Sequence, residues 1–193
     1  MSTLDEEDRR EYYRIEDTIA LEIQPLSGPQ ATGEEVLLDA SPLFNLLSEL
    51  HLSEFESQHL LRQISERDRN IAAYLKVLNK RIDLLGQVVA LTVLGQIGEP
   101  QPVIISEGGI DFQHPTPIAA GSTLAIKLVL MPQALGLLLR ARVTHCDAKG
   151  SGFDVGTEFV QPSDAQRQLL ARYILQRQAQ ERRLAREQSE SGI

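Results

Sequence analysis

Between residues 61 and 89, apolar side chains recur at alternating spacings of three and four. They are Leu61, Ile64, Ile71, Leu75, Leu78, Ile82, Leu85 and Val89, with Asp68 the one polar member of the series. An a/d repeat of this length specifies a long α-helix with a single apolar seam. Ser53-Glu-Phe-Glu56 fits a capping box and places the start of that helix near Glu54. Gly86 and the β-branched stretch after it leave its end between residues 86 and 95. At about 1.5 Å per residue, Glu54 to Gly86 spans roughly 50 Å. A globular unit of about 100 residues has a radius of gyration of only about 13 Å. The helix either lies across its own chain or associates with copies of itself. Its length favours self-association through residues 54–91, as a homodimer or homotetramer.

The flanking sequence is of another kind. Thr18-Ile-Ala-Leu-Glu-Ile23 alternates, with Ile19, Leu21 and Ile23 on one face. Pro25, Gly28, Pro29 and Gly33 mark a loop, and Ser41-Pro42 reads as an N-cap with proline in the first turn of a short helix reaching about Leu50. From Pro102 the period is again two. Val103–Ser106, Gly109–Phe112, Thr123–Leu130, Leu137–Thr144 and Phe153–Val160 are strand-like, and Lys149-Gly-Ser-Gly152 is a hairpin turn. Short strands joined by such turns predict a small antiparallel barrel or sandwich. Ser163-Asp-Ala-Gln166 is a second capping box, opening a terminal helix with Leu169, Leu170, Tyr173 and Ile174 on its apolar face.

Charge narrows the function classes. The net charge is −8, and residues 1–100 hold nine Lys/Arg against eighteen Asp/Glu. Non-specific nucleic-acid binding needs a basic footprint, so it is not expected. An anionic ligand needs a local arginine cluster to overcome the field of the chain. Cys146 is the lone cysteine, the first residues are acidic, and no apolar run approaches the about 18 residues of a membrane span. The expected location is the cytoplasm.

Arg10-x-x-x-Arg14, preceded by Arg9, places guanidinium forks just before the first strand. Such forks bind phosphate bidentately, stack on aromatic planes and match the O6/N7 edge of guanine. The spacing alone is weak: with fifteen arginines in the chain, roughly one such match arises by chance. Arg182-x-x-x-Arg186 is another instance, in the tail. Context adds weight, because a later strand carries Ile104-x-Ser106-x-x-Gly109 followed by Ile110-Asp-Phe112.

On these residues the chain resembles the PilZ family, the bacterial cyclic di-GMP receptor domain. There an Arg-x-x-x-Arg stretch works with an Asp/Asn-x-Ser-x-x-Gly turn. Gly121 leading into Leu124–Leu130, the Val143 strand and Val155-Gly-Thr-Glu-Phe159 are similar too. The resemblance covers roughly residues 9–26 and 100–165. It implies a mainly β fold with α elements, a six-stranded antiparallel PilZ-type β-barrel with a long inserted helix and a C-terminal helix. It implies that Arg10 and Arg14 grip phosphates and guanine edges, with Arg9 adding a third donor group, that Ser106 offers its hydroxyl, and that Gly109 permits the turn. The family's acidic or amide residue falls at Ile104, which accepts no hydrogen bond from guanine; Glu107 and Asp111 are the nearby candidates to replace it. An atypical subgroup carries an inserted heptad helix that forms tetramers, and this chain is similar to it.

The expected organisation is an acidic disordered arm at 1–8, barrel segments at 9–40 and 96–163, inserted helices at 41–95, and a terminal helix and tail at 164–193. No nucleophile elbow, Walker motif or HExxH is present, and the four histidines show no metal-ligand spacing. His145-Cys146 reads as a structural neighbour pair. The chain is expected to be a non-enzymatic signalling module without metal or cofactor, passing a cyclic di-GMP signal to a protein partner through its N-terminal arm. The alternative is a degenerate PilZ scaffold, an oligomeric adaptor that binds protein and not nucleotide.

Overall fold

The computed structural model of the protein describes residues 13–32 and 41–191; the acidic arm, Arg9 and Arg10 lie outside the described residues. In chain order the elements are β1 (Ile15–Pro25), α1 (Pro29–Thr32), α2 (Pro42–Arg67) and α3 (Arg69–Ile97). They continue with β2 (Gln101–Ile105), β3 (Ile110–His114), β4 (Thr123–Leu130), β5 (Leu135–Lys149), β6 (Gly152–Phe159) and α4 (Asp164–Ser191). The strands close into a barrel in the order β1-β2-β3-β6-β5-β4, with every neighbouring pair antiparallel.

Closure depends on β1 serving two neighbours. Its first half pairs with β2, from Ile15↔Ile105 to Ile19↔Gln101, and its second half with β4, from Ala20↔Val129 to Pro25↔Leu124. Alternate residues fill the interior, among them Ile19, Ile105, Phe112, Ile126, Leu128, Leu139 and Val155. Burial of such apolar surface, worth about 25 cal/mol per Å², is the main term holding the barrel together. β4 departs from simple alternation, being buried from Leu124 to Leu130 on both faces. Its outer face and that of β1 are covered by the helices: Ala20 and Val129 share a second core with Phe44, Leu47, Ala90, Val93 and Ile97.

The helices correct two expectations. The chain does not start a new helix at Glu54, because α2 runs unbroken from Pro42, capped by Ser41, whose Oγ accepts from the Phe44 N–H at 3.4 Å. Nor does one helix carry the whole heptad series. It breaks at Asp68, the polar member, which takes an extended backbone and caps α3 by accepting from the Asn70 and Ile71 N–H groups at 2.9 and 3.0 Å. A short carboxylate side chain satisfies two otherwise orphaned donors at a helix start better than it fills an apolar seam.

The two helices fold back as an antiparallel hairpin about Asp68, so that Leu50 of α2 meets Gly86 of α3. The buried face of α3 combines the small residues Ala72, Gly86 and Ala90 with Val93 and Ile97. Many of its bulky residues point elsewhere. Ile71, Tyr74, Val77, Ile82, Leu85, Val88 and Leu91 are all exposed, Leu85 by 67 %. α3 thus carries an apolar face that the described residues of its own chain leave open.

At the C-terminal end, the Ser163 capping box forms as the sequence predicts. The Ser163 N–H donates to Gln166 Oε1 at 2.9 Å, and the Gln166 N–H to Ser163 Oγ at 3.2 Å. Leu169, Leu170, Tyr173 and Ile174 are buried against the barrel. Arg177 adds a tie that the apolar pattern does not contain. Its guanidinium grips Asp17 of β1 bidentately at 2.7 and 2.6 Å, and the Tyr173 hydroxyl donates to the same carboxylate. Burial, reinforced by the Asp17 carboxylate, pushes the Tyr173 phenol well above its usual value.

Candidate functional site

Arg14 stands one residue before β1 and Ser106 one residue after β2, just beyond the end pair Ile15↔Ile105. Two positions 92 apart in sequence (106 − 14) thus meet at one end of the barrel. The 106–109 turn is held internally: the Ser106 N–H donates to the Gly109 carbonyl at 2.9 Å, and Ser106 Oγ accepts from the Gly108 N–H at 3.2 Å. The same hydroxyl lies 3.4 Å from the Gly109 carbonyl, to which it donates. In this arrangement Ser106 shapes the turn. Gly109 is required by a close approach of two backbones. Its φ is not positive, but a Cβ there would run into the Thr157 carbonyl of β6. The turn is also pinned by the Phe159 N–H, which donates to the Gly108 carbonyl at 2.8 Å.

Arg14, Ser106 and Gly109 line one cavity of about 280 Å³, together with Ile104, Asp111, Thr144 and His145. Of the five sequence-predicted site residues, these three come together; Arg9 and Arg10 are outside the described residues. Ile104 is 39 % exposed, with Asp111 directly across the β2–β3 ladder in the pair Ile104↔Asp111. Asp111 Oδ2 lies 3.8 Å from Arg14 Nη1, an ion contact too long for a hydrogen bond. Glu107, the other sequence candidate for the missing acid, is not among the cavity-lining residues.

Burial raises the Asp111 carboxyl above its ordinary 3.8, with Asp154 acting in the same direction. Arg14, His145 and a hydrogen bond from the Thr157 backbone pull the other way, but burial is the largest influence. A carboxylate held partly out of water beside an arginine is a common mark of a binding site.

His145 reaches the cavity because β5 bulges between Val143 and His145, where its pairing with β6 slips. Its ring sits over Gly156, where any Cβ would collide with it, and its Nδ1 is 3.2 Å from Thr144 Oγ1. Cys146 faces away, its Sγ accepting from the Ile118 N–H at 3.4 Å. Sequence alone gives His145 no place in the site, because a bulge leaves no mark in the apolar alternation. Glu158 also lines the cavity, paired with Arg142 at 3.3 Å. A second cavity of about 450 Å³ shares Ile104 and Asp111 with the first and extends to Asp17 and Arg177. Among the described residues, no three His, Cys, Asp or Glu side chains gather as metal ligands, and no helix is long and apolar enough to cross a membrane.

Comparison with known proteins bears on this geometry. The family model for the PilZ domain matches residues 78–176, 99 of 193 positions, or just over half the chain. The matched stretch contains β2–β6, while Arg14 and β1 precede it across the helical hairpin. No curated protein matches the sequence. Among solved structures, the chain is similar to a pathogenic protein from Xanthomonas campestris, described as a new tetrameric PilZ domain self-assembled via an unusual helical bundle. The TM-score is 0.55 at 14% identity, over 89% of this chain and 91% of that one. At that identity the likeness concerns the fold. The Bacillus subtilis inhibitor of motility (MotI/DgrA) gives a TM-score of 0.44 at 14% identity over 89% of this chain, which spans about half (52%) of that protein.

Proposed function

The chain belongs to the PilZ domain family, and from that premise we propose that it is a non-enzymatic cyclic di-GMP receptor carried on a self-associating helical hairpin. The observation that supports this most is the meeting of Arg14 with the Ser106–Gly109 turn around one cavity, across 92 positions of sequence (106 − 14). In this reading Arg14, with Arg9 and Arg10 from the preceding arm, grips phosphate oxygens and guanine edges through charge-assisted forks. The arm is the part that ligand binding reorients, and a protein partner reads its position. The barrel segments, 9–40 and 96–163, form the receptor, residues 41–95 the assembly element, and 164–193 the terminal helix and tail. The module works in the cytoplasm.

The arm is needed on electrostatic grounds. Among the described lining residues, Arg14 stands against Asp111 and Glu158, so the cavity by itself offers little net attraction to a dianion. Self-association rests on the exposed apolar face of α3, and the similar Xanthomonas protein, tetrameric through a helical bundle, supports it. Ile71, Ile82 and Leu85, members of the seam predicted from sequence, are among the residues left uncovered on that face.

Ile104 favours a second reading, that of a scaffold which binds protein and not nucleotide, since an aliphatic side chain stands where the family has an acceptor. Titration calorimetry separates the two. The receptor reading expects saturable heat with cyclic di-GMP and a loss of about ten- to a hundred-fold in affinity for Arg14→Ala, the scale of a charged hydrogen bond removed. Absence of heat at high micromolar ligand would leave the scaffold reading.

A further inference from the structure

Asp111 is an acidic group without an evident structural duty. Its half-buried carboxylate stands on β3, and its Arg14 contact is too long to be a hydrogen bond. The Thr157 backbone donates to it, but among the described residues no cation closes on it within hydrogen-bond distance, as one does on a structural carboxylate of this protein. Asp17, by contrast, is held by two nitrogens of Arg177 at 2.7 and 2.6 Å. Ile104, in register with Asp111, offers an exposed aliphatic surface beside it. The pair thus presents an apolar platform with a carboxylate at its edge, and both residues line the cavities on either side.

We propose that Asp111 is the base-selecting residue of this site, accepting the N1–H and N2–H groups of a guanine that lies over Ile104. The inference rests on the cyclic di-GMP reading and adds to it the source of base specificity. A carboxylate has acceptor sites on both oxygens and so matches two parallel donors. Guanine presents two such donors on its pairing edge. Adenine presents one donor and one acceptor there, and the acceptor would face a carboxylate oxygen with no hydrogen between them. The acceptor absent at position 104 is therefore supplied by the next strand, one ladder spacing of about 4.8 Å away. Arg14, beside the carboxylate, favours its ionised form and keeps donors for phosphate.

The test is titration of the full chain with cyclic di-GMP and with cyclic di-AMP. The wild type is expected to prefer the guanine ligand. Asp111→Ala should lower guanine affinity by about ten- to a hundred-fold and leave the adenine ligand little changed, erasing the preference. Restoring a carboxylate from the neighbouring strand, as Ile104→Asp with Asp111→Ala, should recover part of it. Thermal melting of each variant checks folding. If the wild type binds and Asp111→Ala keeps the guanine preference, the proposal for Asp111 is overturned and the receptor reading stands. If the wild type binds neither ligand, both fall.

Discussion

Gly109 shows how narrow the tolerance is at single positions of the site. Its missing side chain lets the 106–109 turn lie against the Thr157 carbonyl, which belongs to the backbone and cannot swing aside. Gly109→Ala should therefore cost on the order of 2–4 kcal/mol, the range of substitutions that force backbone strain, measured by denaturant unfolding. Asp111 gives the opposite expectation. Its folded pKa is raised above 3.8, chiefly by burial, so the folded state binds this proton more tightly than the unfolded chain does. The penalty from its charge is fully present above the raised value and is relieved as pH falls through it towards 3.8. Asp111→Asn should accordingly raise stability at neutral pH, and the gain should vanish in acid; melting curves across that range check it. Arg14, Ser106 and Gly109 are legible in sequence as a motif pair, since spacing and residue type carry the signal. Asp111 is legible only as one of two candidates beside Glu107, because its place in the cavity depends on the β2–β3 register, and the place of His145 is not legible at all, because it depends on a bulge in β5.

At the scale of elements, the strands and the terminal helix are largely legible and the inserted helices are not. Alternation marks a strand whose two faces meet different surroundings, and it places most strand ends within a few residues. The far end of β5, beyond the bulge, is the exception. A heptad count misses the hairpin because it treats Asp68 as a flaw in a seam. In the structure the same residue is a cap, and the series continues on a second helix running back. Ser53-Glu-Phe-Glu56 misleads for a related reason: it lies inside α2, where it caps nothing. Asp68→Ala should cost about 1 kcal/mol, the usual worth of an N-cap. For a chain of this size that lowers the melting temperature by about 2–4 °C. Arg177→Ala should be more severe, roughly 3–5 kcal/mol, because it takes the cation away from a buried charge. The Asp17 side chain is 6% exposed, and hydrogen bonds from the Tyr173 hydroxyl and the Thr18 N–H would be left to hold it. Hydrogen exchange should then show α4 loosening from β1 before the barrel opens.

For the whole molecule, a PilZ-type barrel and a helical hairpin share one chain, and the hairpin packs one face on β1 and β4 while leaving another uncovered. Light scattering should give a mass that is a multiple of 21.5 kDa, at least twice that value. Leu85→Asp, at a side chain 67 % exposed within the chain, should reduce that mass to the monomer and leave the circular dichroism spectrum unchanged. The fold class is legible at this scale from the period-two strands and the paired motifs; the way α2 partly covers α3 is not, since it depends on the turn at Asp68. The most direct test of the account is titration calorimetry of cyclic di-GMP into the wild-type chain and into Arg14→Ala. It predicts saturable binding by the wild type that the substitution weakens by about ten- to a hundred-fold. A wild type that releases no heat at high micromolar ligand, or an Arg14→Ala chain that binds equally well, would contradict it.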